Sequence, residues 1–288
     1  MIHTIQNQHL SVSIDSYGAQ LMSIRSGSTE YLWQGDPTYW KDRAPVLFPI
    51  CGRLYGGKYT YRGVDYQMNI HGFARGSEFE VKMINSDSIT MILTSDDKTQ
   101  ETYPFDFVLS ITYSLEGATV ICSHTVTNLS TVDALPYSIG GHPGFNVPVV
   151  GGVFEDYNIY FGGESIPQTI LSPTCFILNK YEDYPLVDGS IALSHDLFDN
   201  DALFFKNTFD KVSLRRGEME VLSLKCSDMT HLGLWHKVGA DAPYICIEPW
   251  AGLPSQEGKV DDFEDKVDMI MLPPNTSQDF RYDISINI

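Results

Sequence analysis

Leu109-Ser110-Ile111-Thr112-Tyr113-Ser114-Leu115 alternates apolar residues with small hydroxyls and runs into Glu116-Gly117. The chain then resumes as Thr119 to Thr127, where Val120, Cys122, His124 and Val126 share one face. A period of two marks a half-buried strand, and a glycine-containing turn between two such runs joins them as an antiparallel hairpin. The same alternation recurs at Ser11 to Ile14, Ile89 to Thr94, Met219 to Cys226 and Leu232 to Trp235. It closes the chain with Tyr282, Ile284, Ile286 and Ile288. Stretches with a clean helical period are scarce, while 23 Gly and 15 Pro punctuate the chain at strand-sized intervals. No Pro/Ser linker, composition shift or internal repeat divides it. The expectation is an all-β fold in which residues 1–288 form one large antiparallel domain.

Composition narrows the function. The 288 residues carry 19 Lys+Arg against 37 Asp+Glu, a formal net charge of −18. That balance repels phosphate backbones and anionic lipid headgroups, and no local basic patch offsets it, so neither nucleic acid nor a membrane is expected as a partner. A 43% hydrophobic and 12% aromatic content can build a sizeable core. Cys51, Cys122, Cys175, Cys226 and Cys246 lie far apart without a Cys-x-x-Cys pair, and an odd number cannot close a disulfide set. Reduced thiols and a cytoplasmic location are expected. The N-terminus has neither a basic region nor an apolar run of export type, and no segment reaches membrane-spanning length. The acidic run Asp261-Asp262-Phe263-Glu264-Asp265 lacks the glycine and ligand spacing of a calcium loop and reads as a solvated loop.

Nucleotide-binding glycine motifs, a Walker loop, His-Glu-x-x-His and a Gly-x-Ser-x-Gly elbow are all absent. What stands out is ionisable residues set among glycines, prolines and aromatics. In Phe48-Pro49-Ile50-Cys51-Gly52-Arg53-Leu54, the arginine either caps strand-end carbonyls or offers its rigid donor fork to a ligand. In Asn69-Ile70-His71-Gly72-Phe73-Ala74-Arg75, the histidine is either a satisfied core residue or one a ligand approaches past Gly72, with Phe73 as an apolar wall. Ile139-Gly140-Gly141-His142-Pro143-Gly144-Phe145-Asn146 surrounds one imidazole with three glycines and a proline, which bias it from helical geometry toward a fixed, accessible loop. Tyr244-Ile245-Cys246-Ile247-Glu248-Pro249-Trp250-Ala251-Gly252 places a carboxylate at the end of an apolar run. Such a group must be paired or its pKa rises, and Arg53 is its natural salt-bridge partner if the role is structural. His124 reads as a core histidine. His231 and His236 fall on opposite faces of a strand pattern, and His3, His9 and His195 have no supporting context, so no metal site is expected.

Taken in order, Gly52-Arg53, His71-Gly72, Gly141-His142-Pro143 and Glu248-Pro249 resemble the aldose 1-epimerase (galactose mutarotase-like) family. The forms around His71 and Glu248 are most similar to its LacX-like branch. The resemblance extends from Ser11 to the final strand. It implies a large twisted β-sandwich with an open carbohydrate cleft, and a cofactor-free enzyme that interconverts the α and β anomers of a free aldose. By that resemblance Glu248 is the base, His142 the acid and His71 a partner near the ring oxygen, while Arg53, Asp201 and Trp250 contact the sugar. Two alternatives accompany it. A hexose-6-phosphate 1-epimerase needs clustered cations, for which Lys41, Arg43, Lys58 and Arg75 are available. A non-catalytic carbohydrate-binding module needs no acid–base pair. The expected assembly is a monomer or a homodimer formed through an exposed sheet edge.

Overall fold

The computed structural model describes residues 1–287, and Ile288, which the alternation assigns to the last strand, lies outside them. The predicted hairpin forms as Phe107–Glu116 and Thr119–Asn128, with Leu115 opposite Val120 and Ile111 opposite His124. It sits inside a nine-stranded sheet, flanked on one side by Ser88–Thr94 and on the other by Ser277–Ile286. The other expected strands appear as Ser11–Asp15, Met219–Lys225 and His231–Trp235.

A second sheet of eight strands runs from Ile177–Pro185 through Ser165–Leu171, Leu203–Lys206, His231–Trp235 and Tyr244–Ala251 to Ile139–Gly141 and Val46–Leu47. Gly144–Asn146 also pairs with Tyr244–Ala251. The two sheets share one apolar core. Leu109, Ile111, Val120, Leu222 and Ile284 come from the first, and Phe205, Leu232, Leu234, Ile245 and Ile247 from the second. The architecture is the expected β-sandwich, because each sheet presents one apolar face and must cover it.

Alternation in the second sheet decides where the chemistry lies. Ile245 and Ile247 point into the shared core, so Tyr244, Cys246, Glu248 and Trp250 project from the opposite face. On neighbouring strands the same parity puts Phe204, Gly233 and Trp235 on that face while Phe205, Leu232 and Leu234 enter the core. Three register-matched positions, Phe204, Gly233 and Glu248, form a row across it. Glycine at the centre keeps the row open, since a Cβ at Gly233 would sit 3.0 Å from the Phe204 ring and 3.3 Å from the Glu248 Cβ.

Two sequence expectations need correction. The acidic run is not a solvated loop, because Asp261–Asp262 pairs in parallel with Lys58–Tyr61 and Phe263 stacks on Tyr59 at 3.4 Å between ring centroids. Burying Phe263 draws Asp261 inside, to 2% exposure, near the ammonium of the buried Lys266. Phe73 is not a ligand wall either, since it packs on Phe48, Tyr103 and Phe107 in the core.

His124 is fully buried with neither ring nitrogen hydrogen-bonded, and burial pushes its pKa down to about 4. The unfolded chain therefore binds a proton there below the ordinary histidine range while the folded chain does not, so folding stability falls as pH drops from about 6.5 toward 4. His124→Leu is expected to raise the melting temperature, by an amount that grows between pH 7 and pH 5. Thermal melts at the two pH values check this, and an equal gain at both would show that the histidine is not held neutral.

Candidate active site

A cleft of about 370 Å³ opens on the outer face of the eight-stranded sheet and is lined by Arg53, His71, His142, Asp201, Glu248 and Trp250. All six residues singled out in the sequence thus converge, although they span nearly 200 positions. Trp40, Ile70, Leu171, Cys175, Phe204, Trp235 and Val238 complete much of the apolar wall.

The meeting of His142 and Glu248 follows from an interrupted strand. Ile139–Gly141 pairs with Tyr244–Ala251 at Ala251 and Trp250, and Gly144–Asn146 pairs with the same strand at Cys246, Ile245 and Tyr244. His142-Pro143 spans the gap between these fragments, opposite Ile247, Glu248 and Pro249. The Ile247 N–H donates to the Pro143 carbonyl (3.1 Å) and the His142 N–H to the Pro45 carbonyl (3.1 Å). This leaves His142 Nε2 3.2 Å from Glu248 Oε2, with the side chains 9% and 3% exposed. Trp40 lies tilted over the imidazole at 4.9 Å, and Trp235 meets it edge-on at 5.8 Å.

Burial dominates the electrostatics of this pair. It drives the Glu248 carboxyl well above the usual carboxylate range, with the nearby Asp201 charge adding to the effect, and it pushes His142 down to about 3. Both directions favour the uncharged combination, a carboxylic acid beside a neutral imidazole. Arg53, the structural partner suggested by sequence, pairs instead with Asp201, Nη2 to Oδ2 3.8 Å, and donates to the Thr174 carbonyl at 2.9 Å.

His71 is fixed by a backbone zipper between residues 48–53 and 69–75. Its N–H donates to the Gly52 carbonyl (2.9 Å), and the Gly52 N–H donates to its Nδ1 (3.1 Å). An accepting Nδ1 places the ring proton of the neutral imidazole on Nε2, and burial holds the ring neutral by lowering its pKa well below the ordinary range. His71 therefore presents a donor, and it stands perpendicular to both His142 (5.4 Å) and Trp250 (5.5 Å). Gly72 is indispensable to the zipper: it has φ +72°, and a Cβ would lie 2.2 Å from the Phe48 carbonyl oxygen. Trp250 stacks obliquely on Phe204 at 4.5 Å, and its indole N–H is buried with no hydrogen-bond partner.

Of the four cations considered for a phosphate, Arg75 alone lines the cleft, where it is paired with Asp42. Arg43 is engaged with the Met22 carbonyl and Gln34, and Lys58 with Asp65. A ligand set not suggested by sequence does appear: His142, Cys246 and Glu248 bring one donor atom each within 4.8 Å of one another. Cys246 and Glu248 share a strand face two residues apart, and His142 reaches them from the gap between Ile139–Gly141 and Gly144–Asn146, a juxtaposition with no local sequence signal. His195 and His236 also proved to be in contact, Nδ1 to Nε2 3.2 Å, beside the strand that carries Trp235. Chain-distant aromatic walls left no sequence signal beyond strand parity.

The profile of the aldose 1-epimerase family matches residues 1–166. The chain belongs to that family. It is 34% identical to the chromosomal LacX protein of Lactococcus lactis subsp. lactis, covering 98% of both chains. Among solved structures it resembles a galactose mutarotase related enzyme from Lactobacillus acidophilus, at 33% identity and TM-score 0.95 over 100% of this chain and 98% of that one. A galactose mutarotase-like protein from Lactobacillus casei superposes with TM-score 0.94 at 28% identity, with both chains fully covered. Membership in an aldose 1-epimerase family implies a sugar substrate. Among the described residues no helix is long and apolar enough to cross a membrane.

Gly72→Ala is expected to destabilise the fold by more than about 2 kcal/mol, since strain at positive φ adds to the clash with Phe48. Urea titration checks the loss, and a near-neutral result would contradict the zipper as the support of His71.

Proposed function

We propose that this protein is an aldose 1-epimerase that interconverts the α and β anomers of an unphosphorylated aldose, acting as one unit over its length. The observation that carries this reading is the buried contact between Glu248 and His142 at the floor of the cleft. Anomer exchange needs one proton removed from the C1 hydroxyl and one delivered to the ring oxygen. A binding module has no use for a desolvated acid–base pair, which costs folding free energy.

In this mechanism one proton passes from the Glu248 carboxyl to His142, giving carboxylate and imidazolium. The carboxylate takes the O1 proton while the imidazolium protonates O5, and the C1–O5 bond breaks to leave an open-chain aldehyde. The pair is then again carboxylic acid and neutral imidazole, the combination that burial favours. Rotation about C1–C2 and reclosure, with each proton returned, yields the other anomer. His71 donates from Nε2 toward the ring or anomeric oxygen and stabilises charge developing there. Arg53 and Asp201 bind hydroxyls at the cleft rim, and Trp250 supports the apolar face of the ring. The single cation facing the cleft beside Arg53 is already paired with a carboxylate, which favours a neutral sugar over a phosphorylated one.

Polarimetry of freshly dissolved α-D-glucose and α-D-galactose tests the reading. Wild-type protein is expected to speed the approach to an unchanged equilibrium rotation. Glu248→Gln and His142→Asn should each lower the rate by about 10² to 10⁴. No acceleration with neutral aldoses, or full activity in Glu248→Gln, would overturn it. Because adding or removing a proton charges a buried pair, the acid limb of the pH–rate profile is expected well below 6.5, the ordinary histidine value. An acid limb at an unperturbed histidine value would contradict the assignment to His142.

A further inference from the structure

We infer that the cleft floor contains a binding site for a thiophilic divalent cation such as Zn²⁺, built from His142, Cys246 and Glu248, and that its occupation shuts the acid–base pair. The three side chains are all buried, and their donor atoms lie within 4.8 Å of one another. Ligands on a tetrahedral zinc ion are about 3.5 Å apart, given bonds of about 2.0 to 2.3 Å, so small side-chain adjustments close the set around an ion. His142 Nε2 and Glu248 Oε2, at 3.2 Å, already have that spacing.

The chemistry selects the ion. One imidazole, one thiolate and one carboxylate suit zinc or a softer ion of the same charge, whereas magnesium and calcium prefer oxygen ligands throughout. Thiolate and carboxylate together neutralise the double charge, so the occupied site carries no net charge in a desolvated floor. Coordination forms the metal–sulfur and metal–oxygen bonds and releases two protons to solvent, one from the Cys246 thiol and one from the Glu248 carboxyl, with no redox change. Among the described residues the buried Cys246 thiol makes no side-chain hydrogen bond, so metal binding breaks none there. Access is from the cleft, because His142 and Glu248 line it while Cys246 lies behind them. Three protein ligands leave a fourth position that faces the cleft, open to water or a hydroxyl.

The ion takes the nitrogen and oxygen that would otherwise carry the two transferred protons, so inhibition should be competitive with sugar. This consequence rests on the epimerase reading, whereas binding itself rests only on the geometry. The thiol is the discriminating ligand because it has no part in the proposed proton transfers.

The test is performed on the full chain, first dialysed against a chelator, with circular dichroism confirming the fold of each variant. Co²⁺ titration of wild-type protein should produce a thiolate-to-metal absorption band at one equivalent, displaced by Zn²⁺, and Cys246→Ala should abolish it. In polarimetry Zn²⁺ should inhibit wild type, and Cys246→Ala should keep its uninhibited rate while needing at least about ten-fold more Zn²⁺. Cys175→Ser controls for the partly exposed thiol of the cleft wall and should keep the cobalt band of wild type. Absence of the band, a band that survives Cys246→Ala, or one lost in Cys175→Ser overturns the site. Should the metal-free protein fail to accelerate mutarotation, the epimerase reading falls, while the cobalt titration still decides the site. If Cys246→Ala does not fold, a cobalt spectrum of wild type without thiolate character overturns the proposal, and one with thiolate character that Zn²⁺ displaces and that persists in Cys175→Ser supports it.

Discussion

A carboxyl group almost wholly removed from water must be neutral or partnered, and Glu248 is held at 2% exposure beneath aromatic walls. The free-energy cost of charging it there is several kcal/mol before any compensation. Much of the surrounding architecture follows from that constraint. His142 is the group placed within reach, and its own burial resists a positive charge just as burial of Glu248 resists a negative one. The result is a pair whose favoured form is uncharged, and in the proposed mechanism its reactive form is reached by moving one proton over 3.2 Å.

The sandwich supplies this geometry by leaving a strand incomplete. If the segment from Ile139 to Asn146 ran unbroken beside Tyr244–Ala251, its residues would be spent on ladder hydrogen bonds. Pro143 has no N–H to give, and the glycines before and after it allow the chain to step out and back. His142 thus reaches Glu248 while the sheet remains paired on both sides of the gap. The apolar side of the same strand anchors it to the nine-stranded sheet through Ile245 and Ile247. One strand therefore joins the core to the chemistry, and its alternating pattern separates the two.

The long elements were legible because each had one buried face. The two strands around Glu116-Gly117 pair as the hairpin their alternation implied, and His124 is a core residue as its place on the apolar face indicated. The strands at the cleft were harder to read, since Ile139–Gly141 and Gly144–Asn146 are three residues each and rich in glycine. Arg53, His71, His142 and Glu248 were recognisable through their glycine and proline neighbours and Asp201 only through the family resemblance, but their partners were not. Arg53 pairs with Asp201 rather than Glu248 because the strand carrying Leu203 brings Asp201 to the rim, a long-range placement without local signal. Asp261 appeared solvated in a charged run because sequence alone does not show that Phe263 docks on Tyr59 and carries the segment inward.

The central claim is that Glu248 and His142 work as one proton-carrying unit, and a double-mutant cycle on the anomerisation rate tests it most directly. Groups that act as a unit lose their effect together. NMR exchange spectroscopy can follow the α and β anomeric protons with wild type, Glu248→Gln, His142→Asn and the double variant. The account predicts that the double variant is no slower than the more impaired single variant. Losses that multiply would show two independent contributions, and a single variant exchanging anomers at the wild-type rate would remove that residue from the mechanism.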